Sequence, residues 1–449
     1  MTGLSKRDVI GNSATAGERE VRAQNCNVAL VGFGTVGSSV ARILCERSNT
    51  HLRLTHILNR NVARKKVDWL PSSVQWTENI EDVLSSDVEI VVEVMGGLQP
   101  SEDWIRRALA SGKSVVTANK QLIARCGPEL IALAAQNKQH ILYGASVAGG
   151  VPVISGLQMG LAGDELFKLR GILNGTCNYI LSQMESNGVT FAAALREAQK
   201  LGFAEADPTE DIDGLDARAK LTILARVGLH CNVQPDSIVA QSISAIEAID
   251  FEYANQLGCT IRQISWAELQ RKKKAGGEEN HDSLTAAVQP ALVQLLSPLA
   301  RVEGAQNLVV ATGTYGGDTV FGGHGAGGHP TAVAVVSDIL AIANAMQSGI
   351  NHAEATVDKS PAVSSDFTGK HYLRFFVKDQ PGIIAGLATI LAEHKINIDS
   401  VLQKPGHPKS RLPFSITLEE CKASLVGQAL QQINPLEFLV QPCLHLPIL

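Results

Sequence analysis

Between Gly202 and Lys220 the chain reads GFAEADPTEDIDGLDARAK, which places six carboxylates, one arginine and one lysine within nineteen positions. Asp216 and Lys220 are four apart in a stretch that predicts a helix over about 214–228, so their side chains share one face. Leu221, Leu224 and Ala225 give that helix an apolar stripe to bury. A lysine held beside a carboxylate could belong to a site that holds a charged small molecule or handles a proton. The same spacing also describes an ordinary surface ion pair, worth roughly a few tenths of a kcal/mol, and on spacing alone that reading suffices. Lys120, just after Thr117-Ala118-Asn119, is a second candidate cation, with a helix-surface lysine as the plain alternative. His324 and His329 flank GAGG, but with no third ligand nearby they read as loop residues and not as a metal pair.

A second chemical signal lies near the start. Val28-Ala29-Leu30-Val31 is a short apolar strand followed at once by Gly32-Phe33-Gly34-Thr35-Val36-Gly37. Next comes a helix with apolar residues at Val36, Val40, Ile43 and Leu44. In that context GxGxxG is a dinucleotide fingerprint. Gly32 allows the tight turn, Gly34 a close approach of pyrophosphate, and Gly37 helix–strand contact, with the helix N-terminus facing the phosphates. An NAD site usually has an acid about 20 residues on. Here LTHILNR (54–60) has none and ends in Arg60, with Arg64, Lys65 and Lys66 following. Cationic groups there suit the additional 2′-phosphate of NADP, so NADP is expected over NAD.

The elements that must position these groups follow from pattern. Strands are predicted around 54–58, 88–94, 114–118 and 140–143, separated by helical stretches, which is the alternation of a Rossmann-type doubly wound parallel sheet. Beyond Pro152 a strand at 167–173 and helices at 178–186, 191–201 and about 214–228 predict a second, α+β domain. GAGGHPTAVAVVSDILAIANAMQS (325–348) is a glycine-rich loop leading into an apolar helix. The expected boundaries are a disordered leader at 1–25, a dinucleotide domain at 26–150 joined by about 325–350, and a substrate domain at 151–324. A linker at 351–370 and a small module at 371–449 follow. At 449 residues, several domains are required. With 45% hydrophobic residues, 18% charged and a net charge of −5, the composition suits a globular enzyme and not a nucleic-acid coat. The one basic run, Arg271–Lys274, reads as an exposed loop. Eight scattered cysteines without a CxxC pair point to a reducing cytoplasm, and no apolar run is read as approaching membrane-helix length.

The run AQKLGFAEADPTEDIDGLDARAK (198–220) resembles the signature of the homoserine dehydrogenases, with Ala198, Gly202, Asp207-Pro208, Asp211, Gly214, Asp216 and Lys220 in register. VALVGFGTVG (28–37), VTANKQLIA (116–124), ASVAGGVP (145–152), GILNGTCNYIL (171–181) and GAGGHPTAVAVVSDI (325–339) are similar in the same order, so the resemblance covers about 27–348. It implies interconversion of L-homoserine and L-aspartate 4-semialdehyde, with Lys220, Lys120 and Asp216 catalytic and Gly202, Glu205 and Asp216 meeting substrate. Gly32, Phe33, Gly34, Thr35, Val36, Gly37, Arg60, Thr117, Lys120 and Gly325 would meet the cofactor. Asp207, Glu210 and Asp213 would shape the turn, with Asp211 open between the two roles.

The NGTCN loop around Cys177 is similar to a thioester nucleophile loop, but the family has NGT without covalent catalysis. The family's fifth strand ends in a glutamate associated with a monovalent-cation site; Gly144 stands there. Carbonyls of Val147, Gly149 and Val151 remain as ligands, and weak or absent sodium dependence is expected. VKDQPGIIAGLATILAEHKINIDSVLQ (377–403) resembles the start of a βαββαβ ACT domain, with Ile383, Ile384, Leu387, Ile390 and Leu391 as its buried helix face. That implies feedback by an end-product amino acid, most plausibly threonine. The family also implies a homodimer or homotetramer, with 151–324 as its α+β substrate and dimerisation domain, and the composition gives no expectation of a nucleic-acid or membrane partner. A different class of function is an amino-acid sensor, an ACT module on a decayed oxidoreductase scaffold; Gly144 supports it and the retained lysines oppose it.

Overall fold

The computed structural model describes residues 25–47, 51–271, 282–349 and 360–449. Residues 1–24 of the expected leader, Lys272–Lys274 of the basic run and 351–359 of the expected linker lie outside these. Six strands, β1 (Cys26–Val31), β2 (Leu52–Leu58), β3 (Gln75–Thr77), β4 (Ile90–Glu93), β5 (Ser114–Thr117) and β6 (Ile141–Leu142), form a sheet in the order β3-β2-β1-β4-β5-β6. All of its pairs are parallel. Its central strands read as continuous apolar runs because helices cover both faces. Strand order reverses between β1 and β4, and the crevice beyond their carboxyl ends is where such sheets bind ligands.

Helix Thr35–Glu46 packs Val40, Ala41 and Leu44 against Val335, Val336 and Ile339 of helix Gly328–Ser348, so a segment from far along the chain completes this core. That second helix has 21 residues and a stretch of mean hydropathy 1.3, long and apolar enough to cross a membrane. The sequence reading that no run approaches this length is thereby corrected. In the fold it is a core helix, with Ala332, Val335, Val336, Ile339 and Ile342 all at most 2% exposed.

The second sheet contains β7 (Leu166–Ile172), β8 (Val239–Ala240), β9 (Cys259–Gln270), β10 (Ser283–Gln294), β11 (Gln306–Gly313), β12 (Gly317–His324) and β13 (Ala362–Ser364). It continues with β14 (Thr368–Val377), β15 (Ile398–Gln403), β16 (Leu412–Lys422) and β17 (Leu444–Ile448). The order is β12-β11-β7-β9-β10-β17-β14-β16-β15, with β8 and β13 beside β10. Sequence reading found β7 but not β9–β12. The last four strands, with helices Ile383–Glu393 and Ala423–Ile433, make the expected βαββαβ module. Its final strand pairs antiparallel with β14 and parallel with β10, so the module extends the sheet of the substrate domain. Two details differ from expectation. Residues 362–364 and 368–370 of the supposed linker are strand, and Ile384 is 42% exposed instead of buried.

Candidate active site

Helix Lys120–Gln136 begins directly after β5, capped by Asn119, whose side-chain oxygen accepts the N–H of Leu122 at 3.1 Å. Helix Leu215–Leu229 begins from Gly214 in the left-handed conformation (φ +77°). The two helices pack together, which brings residues far apart in sequence to one point. Asp216 forms ion pairs with Lys220, at 2.8 Å, and with Lys120 through its other oxygen. Asn174, at the start of helix Gly175–Asn187, donates from one amide nitrogen to Asp216 (2.9 Å) and to Asp211 (2.6 Å). Lys220 also donates to the carbonyl of Leu173 at 2.7 Å. An ammonium has three N–H groups, and among the described residues Lys220 uses two.

Exposure grades across the cluster: the side chain of Asp216 is 5% exposed, Lys220 12% and Lys120 38%. Burial alone would raise the Asp216 carboxyl, but Lys220 and Lys120 outweigh it and hold that carboxyl far below the usual range. Burial opposes the charge on Lys120, yet Asp216 beside it raises its value. Asp211 is pushed up by burial, against the hydrogen bond from Asn174. The result is a fixed anion flanked by two cations, one facing solvent.

At the dinucleotide end each glycine has a geometric reason. Gly32 has φ +106°, and a Cβ there would lie 3.1 Å from the Val94 backbone. A Cβ at Gly37 would come within 2.2 Å of the Gly32 carbonyl, whereas one at Gly34 would meet nothing within 4 Å. The second position is thus the open cradle. Gly34 caps helix Thr35–Glu46 without a side-chain bond, leaving its first N–H groups for an anion. The start of helix Gly328–Ser348 abuts it, since a Cβ on Gly328 would lie 3.1 Å from the Thr35 carbonyl. Phe33 donates its N–H to the Asn59 side chain at 3.3 Å and sets its ring edge-on to Trp76. Val36 packs against the core behind it. Arg60 is exposed at the end of β2 and has no ion pair among the described residues. These residues fit a dinucleotide.

Other expected site residues fall elsewhere. Gly202 (φ +78°) and Glu205 lie on an exposed turn, and among the described residues the Glu205 carboxylate has no hydrogen-bond or ion-pair partner. Thr117 is fully buried. Its hydroxyl donates to Glu93 at 2.6 Å and accepts the Asn119 N–H at 3.0 Å. Glu93 also accepts the N–H groups of Met95 (2.8 Å) and Gly96 (3.1 Å), shaping the crevice floor. Asp207 shapes the turn, accepting both the hydroxyl (2.6 Å) and the N–H (3.2 Å) of Thr209.

Gly325 presses on the loop of Val147, Gly149 and Val151, for a Cβ on Gly149 would lie 2.6 Å from its carbonyl. At Gly144 a carboxylate arrives from another element. Asp338 accepts the Gly144 N–H at 2.7 Å, and a Cβ on Gly144 would lie 2.9 Å from it. Burial pushes Asp338 up to about 7. Cys177 is fully buried and bonded to the Asp211 carbonyl at 3.1 Å. Burial pushes its thiol well up, the opposite of a nucleophile. Among the described residues no cluster of three His, Cys, Asp or Glu could hold a metal. Asn174 and Glu93 were missed, while Asp211, left open between two roles, stands beside the cluster through Asn174. Of the two missed, only Asn174 had a sequence signal, an asparagine where a strand meets a helix.

A phosphate cradle at the switch point of a parallel sheet, together with a paired lysine that can handle a proton, defines a dinucleotide-linked oxidoreductase. The family profiles agree segment by segment: "Homoserine dehydrogenase, NAD binding domain" matches residues 32–144, "Homoserine dehydrogenase" 152–340 and "ACT domain" 371–438. A homoserine dehydrogenase of Bacillus subtilis is 35% identical over 422 residues, covering 91% of this chain and 95% of that protein. One from Mycobacterium leprae is 41% identical over 390 residues, 84% of this chain and 86% of that protein. The crystal structure of a homoserine dehydrogenase from Thiobacillus denitrificans superposes with TM-score 0.85 at 32% identity, covering 94% of this chain and 98% of that one. A hyperthermophilic archaeal homoserine dehydrogenase in complex with NADPH gives TM-score 0.58 at 28% identity, over 71% of this chain and 97% of that one. The chain belongs to the homoserine dehydrogenases, with an ACT domain at its C-terminus.

Proposed function

We propose that Lys220 is the proton-handling group of this homoserine dehydrogenase, held in place by Asp216 and assisted by Lys120. The observation that carries this reading is the single buried carboxylate shared by both lysines. When bound, the nicotinamide supplies the hydride to the aldehyde carbon of L-aspartate 4-semialdehyde, or takes it back from L-homoserine. The residues of the chain manage the oxygen. Lys220, oriented by Asp216 and the Leu173 carbonyl, has one N–H left to point at that oxygen and give it a proton as alkoxide charge develops. Asp216 pairs with both ammonium groups and fixes their positions. Lys120, half-exposed, steadies negative charge between cofactor and substrate. Glu205 and Gly202 would meet the amino-acid head of the substrate from their exposed turn.

The NADP preference is supported by Arg60 with no acid beside it, and by the NADPH held in the archaeal relative. Gly32, Phe33, Gly34, Thr35, Val36, Gly37, Thr117 and Gly325 complete the cofactor set, Thr117 by its backbone because its hydroxyl is committed to Glu93. A monovalent cation at the carbonyls of Val147, Gly149 and Val151 would be weakly held, and turnover should respond little to sodium against a choline control. Threonine as effector of the ACT domain, a homo-oligomer, and a cytoplasmic place in threonine, methionine and isoleucine biosynthesis complete the reading. The intact lysine cluster disfavours a decayed, sensing-only scaffold. Replacing Lys220 with Ala should lower turnover by on the order of 100- to 10,000-fold while NADPH affinity, titrated by fluorescence, changes by less than about twofold. Near-normal turnover would refute the assignment.

A further inference from the structure

Two turns into its helix from Lys120, the chain reads Gly127-Pro128. A proline inside a helix has no N–H for the carbonyl four residues back, here that of Ala124. That carbonyl is nevertheless met. Arg226, from the helix that carries Asp216 and Lys220, donates Nη2 to Ala124 at 3.2 Å and Nη1 to the neighbouring Ile123 carbonyl at 2.8 Å. Gly127 makes the room, since a Cβ there would lie 2.6 Å from Arg226 Nη1. Arg226 is only 3% exposed. Three residues on two helices therefore fit one another: a glycine that opens a notch, a proline that leaves a carbonyl, and a guanidinium that fills both.

We infer that Arg226 is a positioning residue for the reaction, whose guanidinium, seated in the Gly127-Pro128 notch, sets the register of the Lys120 helix against the Asp216 helix. The contact lies one turn beyond Lys120 on the first helix and nearly two turns beyond Lys220 on the second. A slide by one residue is about 1.5 Å, enough to part Lys120 from Asp216, and a flexible lysine side chain does not resist it. A planar fork bridging two successive carbonyls does resist it, whereas the point charge of lysine would hold only one. Stability alone gives little reason for the device, because a buried charge costs desolvation that an apolar residue opposite an ordinary helix would not. What the fork adds is a fixed axial position.

The inference rests on the role proposed for Lys120, Asp216 and Lys220, and the test separates the two. In the full-length enzyme, Arg226→Met should lower kcat by on the order of 10- to 100-fold, with NADPH affinity within about twofold and KM changing less than kcat. Adding Pro128→Ala restores an N–H for Ala124 within the helix. Arg226→Met/Pro128→Ala should therefore regain the melting temperature but not kcat, while Arg226→Lys, holding one carbonyl, recovers part of kcat. A merely structural Arg226 predicts that kcat returns with the melting temperature, and that result, or an Arg226→Met enzyme with kcat within about twofold of the parent, overturns the inference. Where Arg226→Met fails to fold, the double variant and Arg226→Lys decide by the same criterion. Near-normal turnover of Lys220→Ala in the same assay would refute the cluster reading itself, independently of Arg226.

Discussion

Among the described residues, two of the buried carboxylates are ion-paired, Asp216 at 4% and Asp250 at 0% exposed, and their surroundings contrast. Asp250, on helix Ala248–Gln256, meets the ACT domain. It accepts Arg374 Nε at 3.0 Å and Nη2 at 3.2 Å, the Tyr372 hydroxyl at 2.8 Å and the Glu247 N–H at 2.8 Å. Arg374 also donates to the Ala245 carbonyl at 2.8 Å and lies over the Phe376 ring. Around it Arg411 pairs with Glu247 at 2.9 Å. Each nitrogen of the Arg374 guanidinium has a partner, and that side chain is 1% exposed. Asp216 instead pairs with two lysines, one of them 38% exposed, and leaves an N–H of Lys220 open among the described residues. A guanidinium stays charged and fixes geometry, whereas an ammonium on a flexible stem can part with a proton. The closed arginine network has the form of a joint, and the open lysine pair is the arrangement that the proposed proton transfer needs.

This contrast can be pressed from either side. Arg374→Met leaves Asp250 buried beside no cation, and unfolding should become easier by about 3–5 kcal/mol, read from denaturant melts. Turnover per folded molecule should hold at saturating substrate, while any inhibition by threonine is uncoupled. Arg60→Ala touches neither carboxylate and should cost about tenfold in kcat/KM for NADPH, roughly 1.4 kcal/mol, with little change for NADH. An equal loss for both cofactors would remove the 2′-phosphate argument. The smallest effect concerns Asp338, which has the Gly144 N–H but no cation among the described residues, so burial pushes it up to about 7. A carboxyl raised on folding favours the protonated folded state, so stability should decline as pH rises from about 4 to about 7. Asp338→Asn, which can still accept that N–H, should flatten the decline and gain about 1 kcal/mol above pH 7, checked by thermal melts from pH 4 to 8.

What could be seen in the sequence follows the range of the interactions. The glycines at 32, 34 and 37 and the Asp216–Lys220 spacing act within a turn of chain, and both were legible. The pairing of Lys120 with Asp216 joins two helices far apart in sequence, and no local pattern announces it. β9 escaped notice because Thr260, Arg262, Gln263 and Ser265 are buried within it, so the alternation of a strand is masked. β10 carries Pro290 opposite Gln263, a residue that argues against an inner strand. Asp338 was hidden for a further reason. Gly144 read as a lost carboxylate, whereas another carboxylate reaches the same spot from helix Gly328–Ser348. Glu205 was placed at substrate by resemblance; it stands on an exposed turn, its carbonyl accepting from Gln199 and its carboxylate without a partner among the described residues.

The comparison of the two carboxylates is tested most directly by making Asp216→Asn and Asp250→Asn side by side and measuring NADPH oxidation with L-aspartate 4-semialdehyde together with the melting temperature. Asp216→Asn should lose on the order of 1,000-fold in kcat with a modest change in melting temperature. Asp250→Asn should melt far earlier yet, while folded, turn over within a few-fold of the parent. Near-parent turnover by Asp216→Asn, or a selective loss of turnover in folded Asp250→Asn, would contradict the account.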